Sequence, residues 1–321
     1  MLRLLLPDLS DSVFALCGIL FAFAMTVIFT AKLAPFLPKD GGREFAHDGK
    51  LSAGKPRGAG IIFVIVFAVT TLLFLPLEAE RIIYLILIVI SMLTGYLDDS
   101  ADKPWGEYKK GFLDLCVAGM VAFTYIKYNG CGVDLALFGV SFTLPAWAFA
   151  ILTVVLVWTS VNVTNCADGV DGLSGTLAIF SILTIYGLDL LRERDGYYAL
   201  LNLVFCVTVL AYLWFNATPS KLMMGDAGSR AMGLFISIAI LKTGAPILYL
   251  LVALVLILDG GLGLIKVSLI RFLKIHIMKN VRTPLHDHVR KLWNWSNTQT
   301  VYRFAIIQIM VSLTVLYLVA M

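Results

Sequence analysis

Ten apolar runs dominate this sequence, most of them near the roughly 20 residues a helix needs to cross a bilayer. They fall at about 14–37, 59–77, 81–97, 111–128, 144–161, 173–191, 197–215, 231–243, 245–265 and 303–320. Backbone polar groups find no partners in hydrocarbon, so a chain of this kind must satisfy them within helices. Composition agrees: 60% of residues are hydrophobic and 14% charged, against about 45–50% and 25% in soluble domains. The fold class is therefore all-α, a polytopic integral membrane protein with about ten transmembrane helices and a single domain over residues 1–321. The run 231–243 is too short to span unless it extends at its N-terminal end, and Gly244, Pro246, Gly260, Gly261 and Gly263 predict a bent ninth helix. The first 37 residues lack a basic segment followed by a small-residue cleavage site, and read as a retained span. The five cysteines are scattered through apolar runs and have no metal-ligand spacing.

Charge then sets the orientation. The odd-numbered connections are 38–58, 98–110, 162–172, 216–228 and 266–302; with the adjoining span ends they hold 19 of the 25 lysines and arginines. The excess of basic residues makes these connections cytoplasmic and leaves both termini outside. All four histidines (His47, His276, His286, His288) fall on the same side, which predicts an active site on the cytoplasmic face and a water-soluble substrate there.

Four polar clusters lie on that face. Asp98-Asp99 ends the third span, where two adjacent carboxylates are costly to keep ionised without a cation. The second is Asn165, Asp168 and Asp171, spaced three apart so as to share a helix face, with Gly169 and Gly172 allowing a sharp turn. Such oxygen-rich groups suit Mg²⁺ or sugar hydroxyls. The third, Gly225-Asp226-Ala227-Gly228-Ser229, offers one carboxylate among free backbone N–H groups, an arrangement that favours phosphate with a shared metal. The fourth is Pro284-Leu285-His286-Asp287-His288, which favours phosphate over zinc because no third nitrogen or sulfur ligand is near in sequence. Each has a plainer reading: a solvated helix end, a polar turn with Asp caps, a helix N-cap by Asp226 or Ser229, and solvated loop histidines. Their coincidence on one face, when topology was assigned from Lys and Arg alone, favours chemistry. Lys50, Lys55, Arg57, Lys109 and Lys110 nearby are suited to a diphosphate or an anionic headgroup.

In this order the clusters, together with Asn216 before the third, span residues 55–304 and resemble the polyprenyl-phosphate N-acetylhexosamine-1-phosphate transferase superfamily. The tail from Pro284 to Phe304 looks most like its phospho-N-acetylmuramoyl-pentapeptide transferase (MraY) branch. The resemblance implies transfer of phospho-MurNAc-pentapeptide from UDP-MurNAc-pentapeptide to undecaprenyl phosphate, giving lipid I and UMP, in the bacterial inner membrane. It implies Mg²⁺ as cofactor, held by Asp226 and Asp168. Asp98 and Asp99 then serve the lipid phosphate or its proton, and Lys109 lies near the phosphates. Asn165, Asp168, Asp171, Gly172, Asn216 and Lys55 bind substrate, and His286 and His288 contact the diphosphate. Implied partners are the two substrates, membrane lipids and a second copy in a homodimer, with no nucleic acid. The chain departs from the pattern at Asp287, which interrupts a run of three histidines, and at Cys166-Ala167, where Leu-Thr is common. The stretch between Asp99 and Lys109 is also shorter than usual. The alternatives are a UDP-GlcNAc:undecaprenyl-phosphate GlcNAc-1-phosphate transferase and a secondary transporter. A transporter places its carboxylates near the bilayer midplane between repeats, and neither feature is present in this sequence.

Overall fold

The computed structural model describes residues 2, 10–42, 52–101, 103, 105–193 and 196–321. Of the residues named above, His47 and Lys50 lie outside the described residues. The chain is mostly helical: α1 (Asp11–Leu33), α2 (Gly60–Phe74), α3 (Ala79–Asp99), α4 (Glu107–Asn129), α5 (Ala146–Ala167), α6 (Leu173–Leu191), α7 (Gly196–Asn216) and α8 (Gly225–Lys242). A broken helix (Pro246–Val252 and Leu254–Leu273), a short histidine helix (Leu285–Leu292) and a last helix (Asn297–Ala320) complete it. β structure among the described residues consists of a hairpin of β1 (Gly132–Leu135) and β2 (Val140–Thr143) and an isolated antiparallel bridge between Lys39 and Pro56.

Among the described residues, seven helices are long and apolar enough to cross a membrane, or eight if the broken helix counts as one span. Each of the ten expected runs is helical, but two fall short of that standard for different reasons. Helix α2 has only 15 residues. Helix α8 reaches 18 residues by extending N-terminally to Gly225, and it carries Asp226, Arg230 and Lys242. It tolerates those charges because it is the centre of the bundle. Nearly every residue from Gly225 to Leu241 is buried, by α2, α3 and α5 above all. A helix that meets protein on all sides needs no lipid-facing apolar surface.

Small residues allow this tight centre. A Cβ on Gly60 would lie 2.1 Å from the Gly228 backbone, and one on Gly95 would lie 2.4 Å from the Asp226 carbonyl. Close approach of backbones at small residues is how helices pack in lipid, where apolar side chains gain nothing by leaving water. Deeper in the bundle, Phe205 of α7 stacks on Phe235 of α8 with centroids 4.0 Å apart.

The broken helix bends by 70° at Ala253. Gln308 of the last helix answers the backbone groups this frees. Its Nε2 donates to the carbonyls of Leu251 and Val252 at 3.2 and 2.9 Å, and its Oε1 accepts from Val255 N at 3.0 Å. Ser181 of α6 also donates to the Val252 carbonyl, at 2.8 Å. Irregular backbone within a bundle requires such partners.

Candidate active site

The C-terminal end of α3, the N-terminal ends of α4 and α8 and the C-terminal end of α5 converge at one end of the bundle. The segment before α2 is zipped against the turn before α8: Met223 N donates to Pro56 O, Ala59 N to Met223 O and Gly60 N to Met224 O, at 2.8–3.0 Å. That pairing delivers Arg57 to the acids. Its guanidinium lies 2.9 Å from Asp99 Oδ1 and 4.0 Å from Asp226 Oδ1. Asp99 Oδ2 accepts the Ala227 N–H at 3.2 Å, at the positive end of the α8 dipole. Asp98 accepts the Trp105 N–H and pairs with Lys110, whose Nζ is 3.3 Å from Asp226 Oδ2. Asn165 donates to Asp226 Oδ1 at 3.1 Å and to Ser229 Oγ at 2.9 Å. The glycines of the third motif make this possible. Gly225 has φ +71°, and a Cβ there would sit 2.2 Å from Asp99 Oδ2.

Asp98, Asp99 and Asp226, with Asp40 at 3.8 Å from the Arg57 guanidinium, thus surround two cations, Arg57 and Lys110, and leave a surplus of negative charge. Among the described residues no three His, Cys, Asp or Glu side chains are placed to hold a metal by themselves. Mg²⁺ does not require them. It is ordinarily held by one or two carboxylates, with waters and substrate phosphates completing the shell. Hard oxygen donors carrying surplus negative charge fit that ion.

Beside this cluster opens a cavity of about 650 Å³, lined among others by Lys55, Asn165, Asp168, Asp171 and His286. Asp168 accepts from Ser174 Oγ at 2.6 Å. Asp171 accepts from Ser220 N at 3.1 Å and lies 3.8 Å from Lys55 Nζ, which itself donates to Ser220 Oγ. Gly172 turns the chain with φ +81°, and its N–H donates to Asn216 Oδ1 at 2.8 Å. Asn216 Nδ2 donates to the Leu222 carbonyl at 2.9 Å. Gly172 and Asn216 therefore brace the loop, and Asn216 lines the cavity together with Lys55, Asp168 and Asp171.

The two histidines part company. His286 is buried at the cavity wall, its N–H and Nδ1 on Asp259. His288 is absent from that wall; its Nδ1 accepts from Arg282 N and its ring meets Trp293 edge-on. Asp287 lies on the wall and pairs with Arg290 at 2.7 Å. The two lysines divide likewise. Lys109 places Nζ over the Trp105 ring at 3.3 Å, and Lys110 makes the ion pairs. Sequence reasoning gave no role to Asp259, or to the buried Asp114–Arg230 pair one turn below Asp226. An acid inside an apolar run was the available signal for both carboxylates.

Residues 81–244 match the family described as Glycosyl transferase family 4. The chain is 40% identical over 291 residues to the phospho-N-acetylmuramoyl-pentapeptide-transferase of Treponema pallidum (strain Nichols), an alignment covering 85% of this chain and 80% of that protein. The chain belongs to glycosyl transferase family 4. Enzymes of the same description from Oceanobacillus iheyensis and Clostridium botulinum (strain Eklund 17B / Type B) are 26% and 27% identical. Those alignments cover 94% and 91% of this chain, and 97% and 92% of the relatives. In this glycosyl transferase, Asp98, Asp99, Asn165, Asp168, Asp171 and Asp226 all fall within the matched segment, whereas Lys55 and the histidines lie beyond it.

Proposed function

We propose that this chain transfers phospho-MurNAc-pentapeptide from UDP-MurNAc-pentapeptide to undecaprenyl phosphate, forming lipid I and releasing UMP. The observation that carries this reading is the extended identity to an enzyme named for that transfer. The charge pattern of the site agrees with it. Phosphoryl transfer rests on positioning and charge neutralisation more than on covalent chemistry. A phosphate oxygen of the lipid attacks the phosphorus that carries the sugar, the P–O bond to the uridylyl phosphate breaks, and UMP leaves with the electron pair. Asp98 and Asp99 receive the lipid phosphate and any proton it brings. Lys110 and Arg57, already among the acids, offset phosphate charge. This gives Lys110 the place that the family resemblance implies for Lys109. Asp226 and Asp168 would hold Mg²⁺, whose chemistry is to neutralise charge on the diphosphate. Lys55, Asn165 and Asp171 orient the nucleotide, Gly172 and Asn216 brace that wall, and His286 meets the diphosphate with His288 behind it.

The same reading places the site on the cytoplasmic face of a bacterial inner membrane, in a single domain with ten crossings and both termini outside. A homodimer belongs to the reading as well. The test uses purified protein in detergent with Mg²⁺ and undecaprenyl phosphate, offered UDP-MurNAc-pentapeptide and UDP-GlcNAc in parallel. UMP released from the muramyl donor alone is the expected result. UMP from UDP-GlcNAc alone would overturn the substrate assignment, and UMP from neither would overturn the reaction.

A further inference from the structure

Asp259 belongs neither to the acid cluster nor to the cavity lining. Its carboxylate is 0% exposed, in the middle of the apolar run Leu-Ile-Leu-Asp-Gly-Gly. A carboxylate at such depth is costly unless paired and hydrogen-bonded. Both of its oxygens serve one residue. Oδ1 accepts the His286 backbone N–H at 2.7 Å, and Oδ2 accepts from His286 Nδ1 at 2.8 Å. An ionised carboxylate only accepts, so Nδ1 carries a proton in this pair. The other ring nitrogen, Nε2, lies over Gly169 between the two aspartates of the second motif, where a Cβ would come within 2.3 Å of it.

The dyad is held from several sides. Gly260, next to Asp259, packs on α5, and a Cβ there would sit 2.2 Å from the Val163 carbonyl. That contact ties the broken helix to the element that carries Asn165 and leads into Asp168. On the other side of His286, Arg290 Nε donates to the His286 carbonyl at 3.2 Å and its Nη2 bonds Asp287 at 2.7 Å.

We propose that Asp259 is a positioning residue: it anchors His286 through the backbone N–H and Nδ1, so that Nε2 is the ring nitrogen presented to the anionic donor substrate. Naming that ligand a sugar-nucleotide diphosphate rests on the proposed function; the Asp259–His286 geometry does not. The arrangement parallels buried carboxylates that fix the tautomer and orientation of functional imidazoles elsewhere.

The test is a variant series read in two ways. Asp259→Asn keeps size but turns an amide toward Nδ1, which moves the ring proton to Nε2. Histidine side-chain ¹⁵N resonances, with His286→Ala to assign the signal, should show Nδ1 protonated in the unaltered protein and Nε2 protonated in Asp259→Asn. In the UMP-release assay, kcat/KM should fall about tenfold or more for Asp259→Asn, and by no further amount when Asp259→Asn is added to His286→Ala. An unchanged tautomer, or a double variant far below either single one, overturns the proposal. If Asp259→Asn does not yield folded protein, His286→Gln and His286→Asn decide instead. Gln extends its amide toward the Nε2 position and Asn toward Nδ1, so better retention by His286→Gln supports the assignment and better retention by His286→Asn overturns it. A tautomer switch in protein that releases no UMP from either donor refutes the proposed function and supports the positioning role.

Discussion

Gly225 sits where no side chain fits. Its φ of +71° strains any L residue, and a Cβ there would collide with Asp99 Oδ2. Gly225→Ala is expected to destabilise the protein by more than the ~1 kcal/mol of a positive φ alone, because the acid cluster must also shift. Thermal unfolding in detergent measures this, and a melting temperature equal to the parent's would contradict the close approach. The two neighbouring lysines give a sharper comparison. Lys110 bridges Asp98 and Asp226, whereas Lys109 stacks on Trp105. Lys110→Ala should therefore lower kcat/KM for UMP release at least about tenfold more than Lys109→Ala, since a preorganised charge at the phosphates is lost. Equal losses would return the role to Lys109. Asp226→Asn should cost about 10²-fold or more in kcat, with the fold retained by circular dichroism. The acids themselves were legible in sequence because carboxylates at span ends are conspicuous. The choice between adjacent lysines was not, because one residue along a helix is a rotation of 100°, and only the packed partners Trp105 and Asp98 fix which lysine points inward.

At the scale of elements, the broken helix shows how a local signal and a distant one combine. Gly244, Pro246 and the glycines at 260, 261 and 263 announce a bend in the sequence. The break itself falls at Ala253, and the partners of its backbone come from Gln308 and Ser181 on other helices. Gln308→Leu leaves buried carbonyls at Leu251 and Val252 with fewer donors, and is expected to cost about 1–3 kcal/mol. Thermal unfolding in detergent should show the loss; a neutral result would mean that the break is satisfied without Gln308. Helix α8 teaches a related lesson. Its apolar core at 231–243 is too short to span, and it becomes a full helix only through the polar turn Gly225 to Arg230. Burial on every side lets a polar N-terminal half remain helical, and no pattern along the segment itself reports that.

For the whole molecule, the contacts bring Asp98, Asp99, Asn165, Asp171, Asp226 and His286 to one end of the bundle, and the β1–β2 hairpin, tied to Gly244 through Asp134 N, to the other. In the proposed topology the excess of basic residues makes the first end cytoplasmic. In protein stripped of its five cysteines, Ser141→Cys should react with a membrane-impermeant maleimide on intact cells, and Lys103→Cys should react only after lysis. The opposite pattern would invert the proposed topology. By itself the sequence determined a helical membrane protein, the approximate places of its apolar helices and the residue types of its acidic clusters. These follow from hydrophobicity, span length and the cost of charge in lipid, which are properties of short stretches of chain. Only the tertiary structure decided that Arg57 and Lys110 lie among the acids, that Asn216 braces a loop, that His286 faces the cavity while His288 does not, and that Asp259 holds His286. Those are distances between groups far apart in the chain, set by glycine-lined helix contacts and by the demand that every buried polar atom find a partner.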